Sequence, residues 1–270
     1  MFTFGGTLSN SLVKKVTLQN LLASVLMMSV FAPTLGATDI INEPAVVSII
    51  IDDIGYRFVE DKQMIDLPGD LTYAILPNGP KARQSARYAN QRGKEVILHM
   101  PMQSTFGVLV EKGVIDVDMD EKGVIKAIRE AFEKVPHAIG MNNHQGSLLT
   151  RHPGHMTWVM KEMARLGYFF VDSRTSSQSI AEMIAREQGV PVLRRDVFLD
   201  HDIDINSIRR QFNELVALAK QKGSAIGIGH PHPETIAVLK ELLPSLALQN
   251  IKLAPVSYQL QQKNLSLLAH

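Results

Sequence analysis

Five short stretches of the sequence carry side chains able to bind a metal ion or move a proton: Asp52-Asp53, His99, Asn142-Asn143-His144, Asp172-Ser173, and His230 with His232. One carboxylate and two imidazoles that leave a coordination position open are a common ligand set for a catalytic divalent ion, zinc first among them. Such an ion lowers the pKa of bound water and polarises a carbonyl, after which a second carboxylate can take a proton and a further histidine can give one up. The adjacent pair Asp52-Asp53 points the same way, because two carboxylates at a buried strand end repel unless a cation or a shared proton compensates. Taken alone, the pair also fits a plain strand-to-turn junction at Asp53-Ile54-Gly55.

Each stretch directly follows a strand candidate. Residues 46–51 are a near-continuous β-branched run, the pattern of a strand buried on both faces of a parallel sheet. Further strand candidates cover 71–76, 95–102, 137–141, 168–171, 190–193, 225–229 and 252–256. Helix candidates fall between them at 81–92, 118–134, 155–166, 179–188 and 205–222, with a last one ending near Leu243. This alternation predicts one α/β domain, either a barrel of about seven or eight strand–helix units or an open doubly wound sheet. In both, the C-terminal strand ends share one face, so a single sheet delivers all five stretches to the same place. His137, His152, His155 and His201 lack that context, and His152 and His155 are expected to be exposed near a helix start. Arg194-Arg195 beside Asp196 reads as a structural ion pair, with recognition of an anionic substrate group as the alternative.

The chain has 270 residues, 45% of them hydrophobic, and a formal charge of +1, enough for one sizeable core. Near-neutrality without a basic cluster among aromatics argues against a nucleic-acid partner. At the N-terminus, Lys14 and Lys15 precede an apolar run at 21–31 and small residues before Thr38, which predicts a secretory signal over 1–37, with an uncleaved signal anchor as the alternative. A short polar segment (38–44), a domain (45–258) and a C-terminal tail (259–270) follow, with no second apolar run to span a membrane. A signal without cysteines suits a bacterial periplasm.

The motifs Ile50-Ile-Asp-Asp-Ile-Gly55, Leu98-His-Met-Pro-Met102, Gly140-Met-Asn-Asn-His-Gln-Gly-Ser147, Phe170-Val-Asp-Ser-Arg-Thr175, Arg195-Asp-Val-Phe-Leu-Asp200 and Gly227-Ile-Gly-His-Pro-His-Pro-Glu-Thr235 resemble those of the divergent polysaccharide deacetylases across about residues 44–257. The resemblance implies a distorted (β/α) barrel of the kind found in NodB-homology carbohydrate esterases. It implies metal-dependent removal of acetyl groups from an N-acetylated polysaccharide, with cell-wall peptidoglycan as a candidate substrate. By the same resemblance, Asp53, His99 and His144 hold the metal, zinc first, Asp52 is the general base, and His230 is the leaving-group acid. Asp172 or His232 would orient His230, and Asn142, Asn143 and Ser173 would support the site or the substrate. Gln103 stands where the esterase relatives carry their second histidine, and that departure favours a rival reading, a non-catalytic carbohydrate-binding or envelope-assembly module. Cleavage of a glycosidic bond by Asp52 and Asp53 is a third reading, disfavoured because neighbours on a strand point in opposite directions.

Overall fold

The computed structural model of the chain describes residues 43–105 and 113–268. The signal expected over 1–37 and most of the polar segment 38–44 lie outside the described residues. The β-branched run becomes β1 (Ala45–Ile54), buried along nearly its whole length. Around it stand β2 (Thr72–Ile75), β3 (Glu95–Met102), β4 (Gly140–Gln145), β5 (Phe169–Asp172), β6 (Val192–Arg194), β7 (Val197–Phe198) and β8 (Ser224–Gly229). Their order is β6-β5-β4-β3-β2-β1-β8-β7 and all pairings are parallel, while β9 (Ile251–Leu253) pairs with the first residues of β1. With β8 beside β1, this is the cyclic order of a barrel, broken between β6 and β7. The sheet is a curled, incomplete (β/α) barrel rather than a doubly wound sheet.

Side-chain alternation gives the sheet two apolar faces. Ile49 and Ile51 join Tyr73, Leu98, Met141 and Phe170 in the outer core beneath the helices. Ile50, Ala74, Ile97, Phe169, Val171, Ile226 and Ile228 line the inner face.

The helices are α1 (Phe58–Ile65), α2 (Ala82–Gln91), α3 (Glu121–Lys134), α4 (Pro153–Leu166), α5 (Ala181–Glu187), α6 (Ile205–Lys222), α7 (Pro233–Leu242), α8 (Ser245–Leu248) and α9 (Val256–Leu268). The sequence expectation placed α3 to begin at 118. It begins later because the Asp120 side chain accepts from Gly123 N and caps it. Asp204 caps α6 in the same way, and Gly223 ends it with φ 85, a left-handed conformation that glycine adopts without strain.

Three expectations require correction. The segment 58–65, outside every expected helix, is a helix, and its apolar period is hidden because one of its three buried residues is an acid, Asp61. The strand expected at 137–141 begins at Gly140, since His137 sits at φ 68 in a turn, and it runs on through Asn142, Asn143 and His144. The ladder to β3 supports that extension, pairing His99 with Asn142 and Pro101 with His144. The supposed tail from 259 onward continues α9: Val256 and Leu260 enter the inner apolar face, and Gln259 Nε2 donates to Ser48 Oγ at 3.0 Å and Ala225 O at 3.1 Å. Helix α9 therefore plugs the inner face at the N-terminal ends of the strands, leaving the C-terminal ends as the open mouth.

Candidate metal centre

The inner-face parity that buries Ile50 and Ile97 also carries Asp52 and His99 toward the mouth, one strand step further on. On β4 the same parity selects Asn142 and His144. Asp53 ought to point the other way. Its backbone, however, lies at φ 59, where the register between β1 and β2 is irregular, and its carboxylate turns inward. Asp53 Oδ1 lies 3.2 Å from His99 Nε2 and 3.1 Å from His144 Nδ1, and the two nitrogens are 3.1 Å apart. Both carboxylates thus reach the same imidazole, Asp52 Oδ2 lying 3.6 Å from His99 Nε2. Neighbouring aspartates therefore do not diverge at this strand end. Sugar-ring cleavage by this pair remains disfavoured for another reason, since both acids stand on one side of a single imidazole.

The three ligand atoms form a nearly equilateral triangle. Tetrahedral zinc with bonds of about 2.0–2.1 Å would separate its ligand atoms by about 3.3 Å, a spacing that the triangle fits. Asp53 Oδ1 is buried and receives no aligned hydrogen bond, although two imidazole nitrogens face it. A carboxylate oxygen and two imidazole nitrogens that converge on one point are the arrangement a cation satisfies. Burial pushes the Asp53 carboxyl up, but His144 and His99 outweigh it and hold the group well below the usual carboxylate range.

A chain of buried polar contacts sets the His99 tautomer. Asn142 Nδ2 donates to Asp52 Oδ1 at 2.8 Å, which leaves Asn142 Oδ1 to accept from His99 Nδ1–H at 2.7 Å. The His99 Nε2 lone pair then faces the centre, as ligation requires. Burial raises the Asp52 carboxyl, and the charges of His99 and His230 and the Asn142 amide offset this only in part.

His230 stands across the mouth. Its Nδ1 bonds Asp200 Oδ1 at 2.9 Å, its backbone N–H donates to Asp200 Oδ2 at 2.6 Å, and Thr235 Oγ1 donates to the same oxygen at 2.8 Å. The opposite nitrogen, Nε2, lies 3.9 Å from Asp53 Oδ2. Burial works against the imidazolium, but Asp200, with Asp52 and Asp53 behind it, pushes the His230 pKa up to about 9. Asp200 is thus the orienting carboxylate, in place of the expected Asp172 or His232. Asp172 instead accepts from Arg174 N and Ser179 Oγ and shapes the loop after β5. His232 lies beside His230, ring centroids 5.9 Å apart. Asp200, His230 and His232 also lie close enough to hold an ion. Asp200 and His230 Nδ1 are already committed to each other, which disfavours that second grouping.

The remaining expected site residues divide by function in the fold. Asn143 accepts from Ser173 N at 2.9 Å and donates to Gln145 O, tying the ends of β4 and β5 together. Ser173 Oγ is buried without a hydrogen-bond partner. Gln103 Oε1 accepts from Val117 N at 2.9 Å and so serves the excursion after β3, while His144 on the neighbouring strand supplies the second imidazole. Arg195 forms no ion pair with Asp196, which pairs with Lys222. Its guanidinium donates to Ser173 O and Arg174 O and lies over the Phe198 ring. His155 is buried rather than exposed, with Nε2 against Met119 O at 3.0 Å. Asp200 was not singled out from sequence because the strand before it has two residues, too few to show a period.

The family described as divergent polysaccharide deacetylase matches residues 49–260. An uncharacterised protein of Haemophilus influenzae is 41% identical over 199 residues, covering 74% of this chain and 71% of its own length. The uncharacterised protein YibQ of Escherichia coli is 36% identical over 228 residues, covering 84% and 69%. Among solved structures, the uncharacterised protein ATU2773 of Agrobacterium tumefaciens superposes with a TM-score of 0.78 at 23% identity, over 80% of this chain and 89% of that one. The structure described as T48 deacetylase with substrate gives 0.52 at 15% identity, over 80% and 90%. A mutant of BA3943, described as a CE4 family pseudoenzyme with restored enzymatic activity, gives 0.51 at 13%, over 80% and 68%. These structural likenesses show the fold, a curled parallel half-barrel. Among the described residues no helix is long and apolar enough to cross a membrane. By the match over residues 49–260 and by its relatives, this chain belongs to the divergent polysaccharide deacetylase family.

Proposed function

We propose that the protein is an exported, metal-dependent hydrolase that removes acetyl groups from an N-acetylated polysaccharide, with cell-wall glycan as the candidate substrate and the periplasm as its place of action. The observation that carries this reading is the triangle of Asp53 Oδ1, His99 Nε2 and His144 Nδ1, flanked by a second carboxylate and by an oriented histidine. A zinc ion held by those three residues would polarise the acyl carbonyl and lower the pKa of its water. Asp52 is the general base: Asn142 occupies its Oδ1, and Oδ2 is left facing the centre to take a proton. A buried carboxyl whose pKa is raised above the ordinary carboxylate value suits that task. His230 Nε2 delivers a proton to the departing amine, and Asp200 at Nδ1 keeps the ring aimed and stabilises its charged form.

A second reading has one specific observation behind it. Gln103 is committed to the backbone of Val117, so the ligand set departs from the classical esterase pattern, as it would in a sugar-binding module without turnover. Acetate release from N-acetylated glycan oligomers, assayed with zinc-loaded, chelator-stripped and Asp52→Asn protein, separates the two. Release that needs both zinc and Asp52 supports hydrolysis. Saturable glycan binding with no acetate from any form supports the module.

A further inference from the structure

We infer that Asp61 is the positioning residue for the metal-binding carboxylate, acting through a clamp on the turn that follows β1. The inference rests on Asp53 being a ligand of the ion. Asp53 is held in a left-handed conformation that a non-glycine residue keeps only where its surroundings impose it. The imposing contacts lie one and two residues further on. Gly55 N donates to Asp61 Oδ2 at 2.9 Å, Gly55 O accepts from Lys81 N at 2.8 Å, and Ile54 O accepts from Leu76 N at 2.9 Å.

The Gly55 unit is therefore gripped at both its N–H and its carbonyl. On the far side Gly79 packs so tightly that a Cβ there would lie 2.4 Å from Gly55 O. The turn can relax neither outward nor toward α2. Asp61 is 1% exposed, and the same Oδ2 also accepts from Ser85 Oγ of α2 at 2.8 Å. A carboxylate oxygen accepts two donors at once more strongly than a neutral side chain would, which suits a residue that must hold a strained turn closed. Release of Gly55 N would let β1 return to ordinary alternation, carrying Asp53 away from His99 and His144.

The test compares full-length wild type with Asp61→Ala, Asp61→Asn and Ser85→Ala. Zinc affinity is read by competition with a chromophoric chelator, and ligand geometry by the visible spectrum of the cobalt-loaded protein. Asp61→Ala is expected to weaken zinc binding about tenfold or more, as loss of outer supporting contacts does, and to alter the cobalt bands. Asp61→Asn keeps an acceptor for Gly55 N and should recover part of the loss. Ser85→Ala, which leaves the Gly55 contact intact, should bind zinc as wild type does. A folded Asp61→Ala with wild-type zinc affinity and cobalt spectrum overturns the clamp. If that variant does not fold, Asp61→Leu, which fills a similar volume without an acceptor, takes its place, and wild-type zinc affinity and cobalt spectrum in it overturn the clamp. Wild type that binds no zinc overturns the metal reading, and the clamp falls with it.

Discussion

Replacing Asn142 by alanine tests the buried relay most sharply. The substitution removes the acceptor 2.7 Å from His99 Nδ1 and the donor 2.8 Å from Asp52 Oδ1, and both partners are buried. Each buried polar group left unpaired costs about 1–3 kcal/mol, so stability should fall by about 2–6 kcal/mol. In a domain of this size that is a drop in Tm of at least about 4 °C, since 1 kcal/mol corresponds to about 2–4 °C. Zinc binding should weaken about 10–100-fold, because nothing then fixes the tautomer that turns the His99 Nε2 lone pair to the centre. Asn142→Asp separates the two effects. It still accepts from His99 Nδ1–H but sets a second anion against Asp52, so it should bind zinc more tightly than the alanine variant while remaining destabilised. Thermal unfolding and chelator competition on the same samples give both numbers. A folded Asn142→Ala protein whose zinc affinity stays within about threefold of wild type would refute the tautomer argument.

Three further outcomes follow from the geometry. The His230 pKa of about 9 exceeds that of an unfolded histidine near 6.5, so in metal-free protein the Asp200–His230 pair stabilises fully below about pH 6.5 and loses its effect as pH rises through about 9. Urea midpoints across that range should fall for wild type and flatten for Asp200→Asn, and parallel curves would count against the pair. Gly79→Ala drives a methyl group against the Gly55 backbone, which cannot yield as a side chain would, and should cost about 1–3 kcal/mol or more with weakened zinc binding. Truncation after Pro255 exposes the pockets of Val256 and Leu260, each worth about 1.5–3 kcal/mol, and should leave a protein that unfolds at far lower urea, whereas loss of a mere tail would change nothing.

The sequence made the fold legible where chemistry and period agree. The β-branched run before Asp52 and the stripe of Val124, Ile128 and Ala131 each announce an element, and parallel strands then bring their ends to one face. The placement of Asp52, His99 and His144 at the strand ends was legible for the same reason, whereas the reading of His99 and His144 as a ligand set with Asp53 came from the family resemblance. Contacts made across the chain were not. That Asp200, thirty residues before His230, orients its ring depends on two short strands lying side by side, and β7 is too brief to show a pattern. The inward turn of Asp53 contradicts strand alternation and is visible only as a backbone conformation. Helix α9 escaped notice because Gln259 fills a core position that apolar periodicity does not mark. In each case a polar residue does structural work that hydrophobic pattern alone cannot signal.

In the proposed site Asp53, His99 and His144 together hold one catalytic ion. Elemental analysis of the purified protein and of its Asp53→Ala and His144→Ala variants, each shown to be folded by circular dichroism, tests it most directly. About one zinc or comparable ion per wild-type chain, absent from both variants, is the predicted result. A folded His144→Ala protein that keeps a full complement of tightly bound metal, or a wild type that takes up none after reconstitution with zinc, would contradict it.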